Sequence, residues 1–252
     1  MTDNPSDAPR ISIWAPRLAL WSLVLAIASL LIAFTGLTLA RYDVIGKLAG
    51  FAAMMGGGLV AAMALLAGLL ALFAGRKADN ARRGRALTAI AIGALFVGFL
   101  VSRPMAAGEV PAIHDVTTDI ANPPQFERLP LRADNLAGVE TVENWRRLHA
   151  GAYGHLQPLV LAKPVAEVTD AATRIARESG WEIAVSDPAR GHVEATASVS
   201  YIRFKDDVVI RISPTADGRS RVDMRSVSRV GVSDFGVNAR RIDEFLKALS
   251  AA

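Results

Sequence analysis

The densest set of chemistry-bearing side chains lies near the C-terminus, between Arg225 and Arg241. Alternation at period two puts Arg221, Asp223, Arg225, Val227 and Arg229 on one face of an extended segment and turns Ser226 and Ser228 to the other. Arg211 and Arg203 can join the arginine row from a neighbouring strand. Ser233-Asp234 stands just before a helical stretch that includes Asn238, where a Ser or Asp side chain can cap free backbone N–H groups. Guanidinium groups beside a helix N-terminus suit a carboxylate or a phosphate head group. The plainer account of the same residues is a solvated, salt-bridged sheet face with an ordinary helix cap.

A second set is His114-Asp115 with Thr117, Thr118 and Asp119. One imidazole and two carboxylates can hold a divalent cation or move protons. Their spacing matches no ligand pattern, and Thr and Asp ahead of Asn122-Pro123-Pro124 are also good turn formers. His149, His155 and His192 stand isolated and receive no role, and Asp206-Asp207 reads as a turn or strand edge. The chain has no cysteine, which excludes disulfides, thiolate catalysis and cysteine-zinc sites. It also lacks a nucleophile elbow, a phosphate-cradling glycine loop and an HExxH helix. No catalytic residue, metal or cofactor is therefore assigned.

The elements that must position these residues follow from hydrophobic spacing. Residues 104–163 read as extended chain with a short helix near Val142–His149. Pro164 opens a helix to about Ser179, with Val165, Val168, Ala172, Ile175 and Ala176 on one face. Strands follow around Trp181–Val185, Val193–Val199, Val208–Ile212 and Val222 onward, separated by turn signals at 187–191 and 215–218. A last helix spans about Val237–Leu249. Short connections favour antiparallel neighbours, so the expected domain is α+β, an antiparallel four-stranded sheet covered on one side by two helices.

Upstream the sequence changes character. Hydrophobic residues make up 52% of the chain and mean hydropathy is +0.30, but the excess lies in the first hundred residues. Three uncharged runs, about 18–40, 48–74 and 86–102, predict a transmembrane anchor over 1–103 and a separate domain over 104–252. Residues 1–102 hold 9 Lys/Arg against 4 Asp/Glu, and the remainder 19 against 20. The basic pI of 9.7 thus belongs to the membrane region, and nucleic acid is not expected as a partner. Arg76, Lys77, Arg82, Arg83 and Arg85 crowd the second connection, while the first holds Arg41 and Lys47. Positive charge stays in the cytoplasm, so the N-terminus is expected inside and the domain outside. Small residues recur every fourth position in the second run, as in Gly57–Ala61, Ala64–Gly68 and Ala67–Ala71–Gly75, a spacing that lets helix backbones approach in lipid.

Three separated stretches carry a family resemblance. Residues 113–119 with Asn122-Pro123-Pro124-Gln125-Phe126, then 204–211, then 225–231 with 233–242, resemble in order the signatures of domain of unknown function 1499. The resemblance covers about residues 110–250. It implies an envelope-associated domain that often follows membrane helices, and it implies no activity. The expectation is a membrane-anchored envelope protein whose partners are the lipid bilayer and an envelope protein, anionic ligand or lipid head group. The alternative is an envelope hydrolase or other enzyme using the Arg225–Asn238 cluster with His114 and Asp115.

Overall fold

The computed structural model describes the backbone of residues 11–74, 80–107 and 110–252, and the side chains of 16–74, 80–103 and 110–252; Arg10, Gly75, Arg76 and Lys77 lie outside them. The chain divides into two compact units, Met1–Gly108 and Glu109–Ala252.

The first unit holds α1 (Ile11–Arg41), α2 (Lys47–Ala74) and α3 (Asn80–Ala107). Each contains a stretch long and apolar enough to cross a membrane: Pro16–Arg41, Lys47–Ala74 and Asn80–Arg103, with mean hydropathies of 2.4, 2.3 and 2.0. The third is longer than its uncharged run. Arg82, Arg83 and Arg85 are good helix formers and lie in its first turns rather than in a loop, and the helix continues past Pro104. Glycines of α2 bring backbones together. A Cβ at Gly57 would lie 2.7 Å from the Ser29 carbonyl oxygen of α1, and one at Gly68 would lie 3.1 Å from that of Ala86 in α3. The buried hydroxyls of Ser22 and Ser29 donate to Ala19 and Ala26 carbonyls, so lipid meets no orphan donor there.

The second unit holds β1 (Asp115–Thr117), α4 (Val142–Tyr153), β2 (Leu159–Leu161), α5 (Val165–Glu178), β3 (Glu182–Asp187), β4 (His192–Val199), β5 (Phe204–Pro214), β6 (Ser220–Ser228) and α6 (Val237–Ser250). The antiparallel sheet has six strands, not four. Its order is β1-β6-β5-β4-β3, with β2 also on β6. The two additional strands lie in the stretch expected as extended chain. Each has three residues, too short to show a period, and each is completed only by pairing across the sequence. β1 pairs with 225–227 and β2 with 220–222, so they lie in tandem along one edge of β6.

Register sorts the side chains. Val193, Val208, Ile210, Ile212, Val222 and Met224 share one apolar core with Val168, Ala172 and Ile175 of α5 and Ile242, Phe245 and Leu249 of α6. Trp181 stacks on Phe245 at 5.1 Å within it. Opposite-facing positions in the same strands carry His192, Glu194, Thr196, Asp207, Arg211, Asp223 and Arg225. The helix expected to end at His149 runs one turn further. It thereby lines up Trp145, His149 and Tyr153, with successive ring centroids 5.6 and 5.7 Å apart. Trp145 donates to the Asp115 carbonyl at 2.9 Å and His149 Nε2 accepts from the Thr117 N–H at 3.0 Å, which fills the free edge of β1.

Gly191, in the β3–β4 turn, has φ +64°, and a Cβ there would meet the Ile212 carbonyl oxygen at 2.0 Å. Gly191→Ala should therefore lose more than the ~1–2 kcal/mol of a left-handed alanine, because the backbone must also retreat. Chemical denaturation of the full chain checks this; a loss below ~1 kcal/mol would contradict the packing.

Candidate functional site

The charged sheet face is salt-bridged, as the plainer expectation has it, but its centre is buried rather than solvated: Arg225 is buried, Arg211 and Arg221 are half-buried, and Arg229 and Arg203 are exposed. Asp115, Glu194, Asp223 and Arg225 are all buried. Residues 119–136 lie against this face as a strap. Its middle is held by a single carboxylate. Glu194 accepts the consecutive N–H groups of Glu127 (2.5 Å), Arg128 (3.0 and 3.1 Å) and Leu129 (2.6 Å), and pairs with His192 Nε2 at 2.8 Å. Burial opposes ionisation of Glu194. The N–H of Leu129, His192 and the N–H groups of Glu127 and Arg128 together outweigh it, so the carboxyl sits below its ordinary range.

Beneath the strap each arginine meets a carboxylate. Arg225 binds Asp115 through Nε at 2.9 Å and an Nη at 2.7 Å, and its other Nη reaches the Pro124 carbonyl at 3.2 Å. Asp115 also accepts from Asn135 at 2.6 Å. Arg211 bridges Asp119 (2.9 Å) and Asp223 (3.1 Å), and Arg221 pairs with the same two acids. Arg229 forks onto Asp207 at 2.8 Å through both nitrogens, with Thr196 bonded to each partner. Arg203 is not part of β5; it sits in the β4–β5 turn with φ +56°.

The serine side of β6 faces α6. Ser226 donates to Asn238 Oδ1 at 2.7 Å, and Asn238 Nδ2 reaches Ser228 (3.0 Å) and the His114 carbonyl (2.9 Å). Arg241 bonds Ser226 and Asn238 and pairs with Asp206 at 2.6 Å. Asp234 accepts the N–H groups of Gly236 (2.9 Å) and Asn238 (2.6 Å) at the start of α6, as expected of a cap. Burial raises its carboxyl above the ordinary range, against the pull of those two N–H groups.

The fold divides the residues singled out in the sequence: Arg211, Arg225 and Arg229 gather with Asp115 and other acids on one face of the sheet, Ser226, Ser228, Asp234 and Asn238 gather with the His114 carbonyl on the α6 side, and Arg203 stays apart. It gives most of them partners within the chain. His114 differs. It is buried with neither ring nitrogen hydrogen-bonded, and Asn135 Oδ1 and the Tyr153 hydroxyl are also unpartnered. Burial, then the Arg132 charge, push the His114 imidazole below its usual range. Burial, then Asp234, push Tyr153 to about 12. Among the described residues no three His, Asp or Glu side chains gather as a metal site. Sequence reasoning passed over Glu194 on β4 and Arg132 in the strap, gave His192 no role, and expected Asp119 beside His114 rather than paired with Arg211. The only signal for Glu194 was a lone carboxylate between the apolar Val193 and Ala195.

These observations define a class: an α+β domain, with a charged and internally paired sheet face, that follows three helices of membrane-spanning length. Residues 115–249, more than half the chain, match the family described as a protein of unknown function, DUF1499, and the chain belongs to that family. No curated protein matches it in sequence.

Removing one member of a buried pair strands the other charge, so Arg225→Ala and Asp115→Ala should each cost about 3–5 kcal/mol. The double variant should lose clearly less than the sum. Additive losses in chemical denaturation would mean the two do not act as a pair. Glu194→Gln should weaken the strap by roughly 1.5–3 kcal/mol at pH 7. The sign follows from the lowered carboxyl. The stabilisation is complete above the unfolded value of about 4.3 and fades as pH falls through the lower folded value. Hydrogen exchange at residues 127–129 should show that acid loss in the wild type and none in Glu194→Gln; identical profiles would remove Glu194 from the role.

Proposed function

We propose that this is a cell-envelope protein anchored in the cytoplasmic membrane, with its N-terminus in the cytoplasm. The domain from residue 104 onward lies outside and acts as an interaction module for a partner protein rather than as an enzyme. The orientation rests on Arg82, Arg83 and Arg85 with Arg76 and Lys77 between the second and third apolar runs, against Arg41 and Lys47 between the first and second. The helices α5 and α6 are read as the covering layer on one side of the sheet, an arrangement supported by their shared core.

The observation that carries the interaction reading is the bidentate Arg225–Asp115 pair. An anionic ligand or lipid head group at Arg225 must first displace that carboxylate. The loop between β6 and α6 offers a surface without that cost. Val232 is 48% exposed and Phe235 59% exposed. Phe235 is held at φ +53°, a conformation costing about 1–2 kcal/mol for a residue with a side chain. Asp234 grips the backbone after it, and Arg132 grips the Gly231 carbonyl before it at 2.7 Å.

Because the chain is free of cysteine, Phe235→Cys carries a photocrosslinker at one position only. In intact cells it should form a discrete adduct with an envelope protein, while Asp217→Cys in the β5–β6 turn should not. Equal adducts at both positions would overturn the reading. A C-terminal reporter enzyme active only outside the cytoplasm should be active; activity confined to a cytoplasmic reporter would reverse the topology.

A second reading, a small polar ligand or an envelope enzyme using the Arg225–Asn238 cluster, is favoured by His114 and Asn135 alone. Their unpartnered atoms lie beside Asp115. Imidazole nitrogen shifts of His114 that move on adding inorganic phosphate would support it, and unmoved shifts would count against it.

A further inference from the structure

The three membrane helices meet through alanine at one end; toward the other, α1 and α2 stay close through Gly36 and Gly50, and large side chains line a groove beside them. Ala19 packs with Ala71 and Ala86, and Ala26 with Ala64 and Ala89. Small side chains let all three backbones approach there. Toward the end that carries Arg41, Lys47 and Arg103, the facing residues become Phe34, Met54, Phe96 and Phe99. A groove of about 510 Å³ remains between them, with Leu30 and Leu37 completing its wall. Every lining residue is apolar. Arg103 sits at the same end, its guanidinium carbon 4.4 Å from the centre of the Phe99 ring.

We propose that this groove holds one acyl chain of an anionic phospholipid whose phosphate is met by Arg103. A wall without polar atoms takes hydrocarbon, and the cation at its mouth matches a phosphate. The volume falls in the range of roughly 300–1,000 Å³ typical of small-ligand sites. Lys47 is already engaged by Asp43 at 2.8 Å and by the Ala40 carbonyl at 2.6 Å, whereas Arg103 packs on Phe99 of the groove wall. The inference rests on the three helices spanning a bilayer.

The test uses the full chain, purified in mild detergent and observed by native mass spectrometry with phosphatidylglycerol and phosphatidylcholine of identical acyl chains. The wild type should retain one phosphatidylglycerol in preference to phosphatidylcholine. Arg103→Gln should lower that preference about fivefold, the effect of one basic side chain at the lipid surface. Leu30→Trp, which fills the groove, should lower retention of both lipids while helix content stays unchanged. Equal retention of the two lipids by the wild type, an unchanged preference in Arg103→Gln, or a lipid-free dimer would overturn the proposal. Sedimentation with membranes separates the two possible failures. A chain that does not pellet refutes the spanning helices, whereas one that pellets and retains no lipid refutes the groove alone.

Discussion

A sheet face made of aspartate, glutamate and arginine can be buried only if each charge is neutralised where it lies. Taking an ion from water costs several kcal/mol even after relaxation, and an unmatched one would leave the fold unstable. The α+β unit meets this constraint by register. Asp115 on β1 falls beside Arg225 on β6, Arg211 on β5 beside Asp223 on β6, and Asp207 on β5 beside Arg229 just past β6. The strap over residues 119–136 completes the neutralisation, bringing Asp119 to Arg211 and offering three N–H groups to Glu194. Without those pairs the strap has no footing, and without the strap Glu194 and Asp115 face water.

The three stretches by which the chain resembles its family meet in this network. Asp115 from the first joins Arg225 from the last. Asp206 and Asp207 from the middle stretch join Arg241 and Arg229. Asn238 ties the His114 carbonyl to Ser226 and Ser228. The signature residues are each other's partners across the sheet. A polar motif of that kind records how a fold is held.

Much of the architecture was legible from spacing. The apolar runs gave the membrane helices, and the helices at 164–179 and 237–249 and the strands at 193–199 and 208–212 were visible as 3.6- and 2-residue periods. The short strands β1 and β2 were not, because three residues carry no period and their pairing spans about a hundred positions or sixty. The arginine row was legible as a face, but its environment was not. Alternating charge normally marks the solvent side of a strand, and here a distant strap, through Asp119, Pro124 and the Glu127–Leu129 backbone, covers the centre of that side. Glu194 and His192 stayed invisible for the same reason: nothing local distinguishes a carboxylate that faces water from one that clasps a loop.

The two units bury polar groups under different solvents. In the apolar helices a serine hydroxyl has nowhere to turn but its own helix, and Ser22 and Ser29 bond back to carbonyls three residues earlier. In the sheet domain the ion pairs have water as the alternative, so they persist only because whole faces close together. That difference bears on how each unit can recognise anything. Freeing Arg225 for a ligand strands Asp115, so a ligand there must replace a bidentate pair and also supply a cation for the acid left behind. Val232 and Phe235 are already exposed, and the strained backbone of Phe235 is held by Asp234 and Arg132 whether or not a partner is present. Association through that loop, as proposed, would add apolar burial without breaking the Arg225–Asp115 pair, a less costly route to recognition than one that opens the paired sheet face.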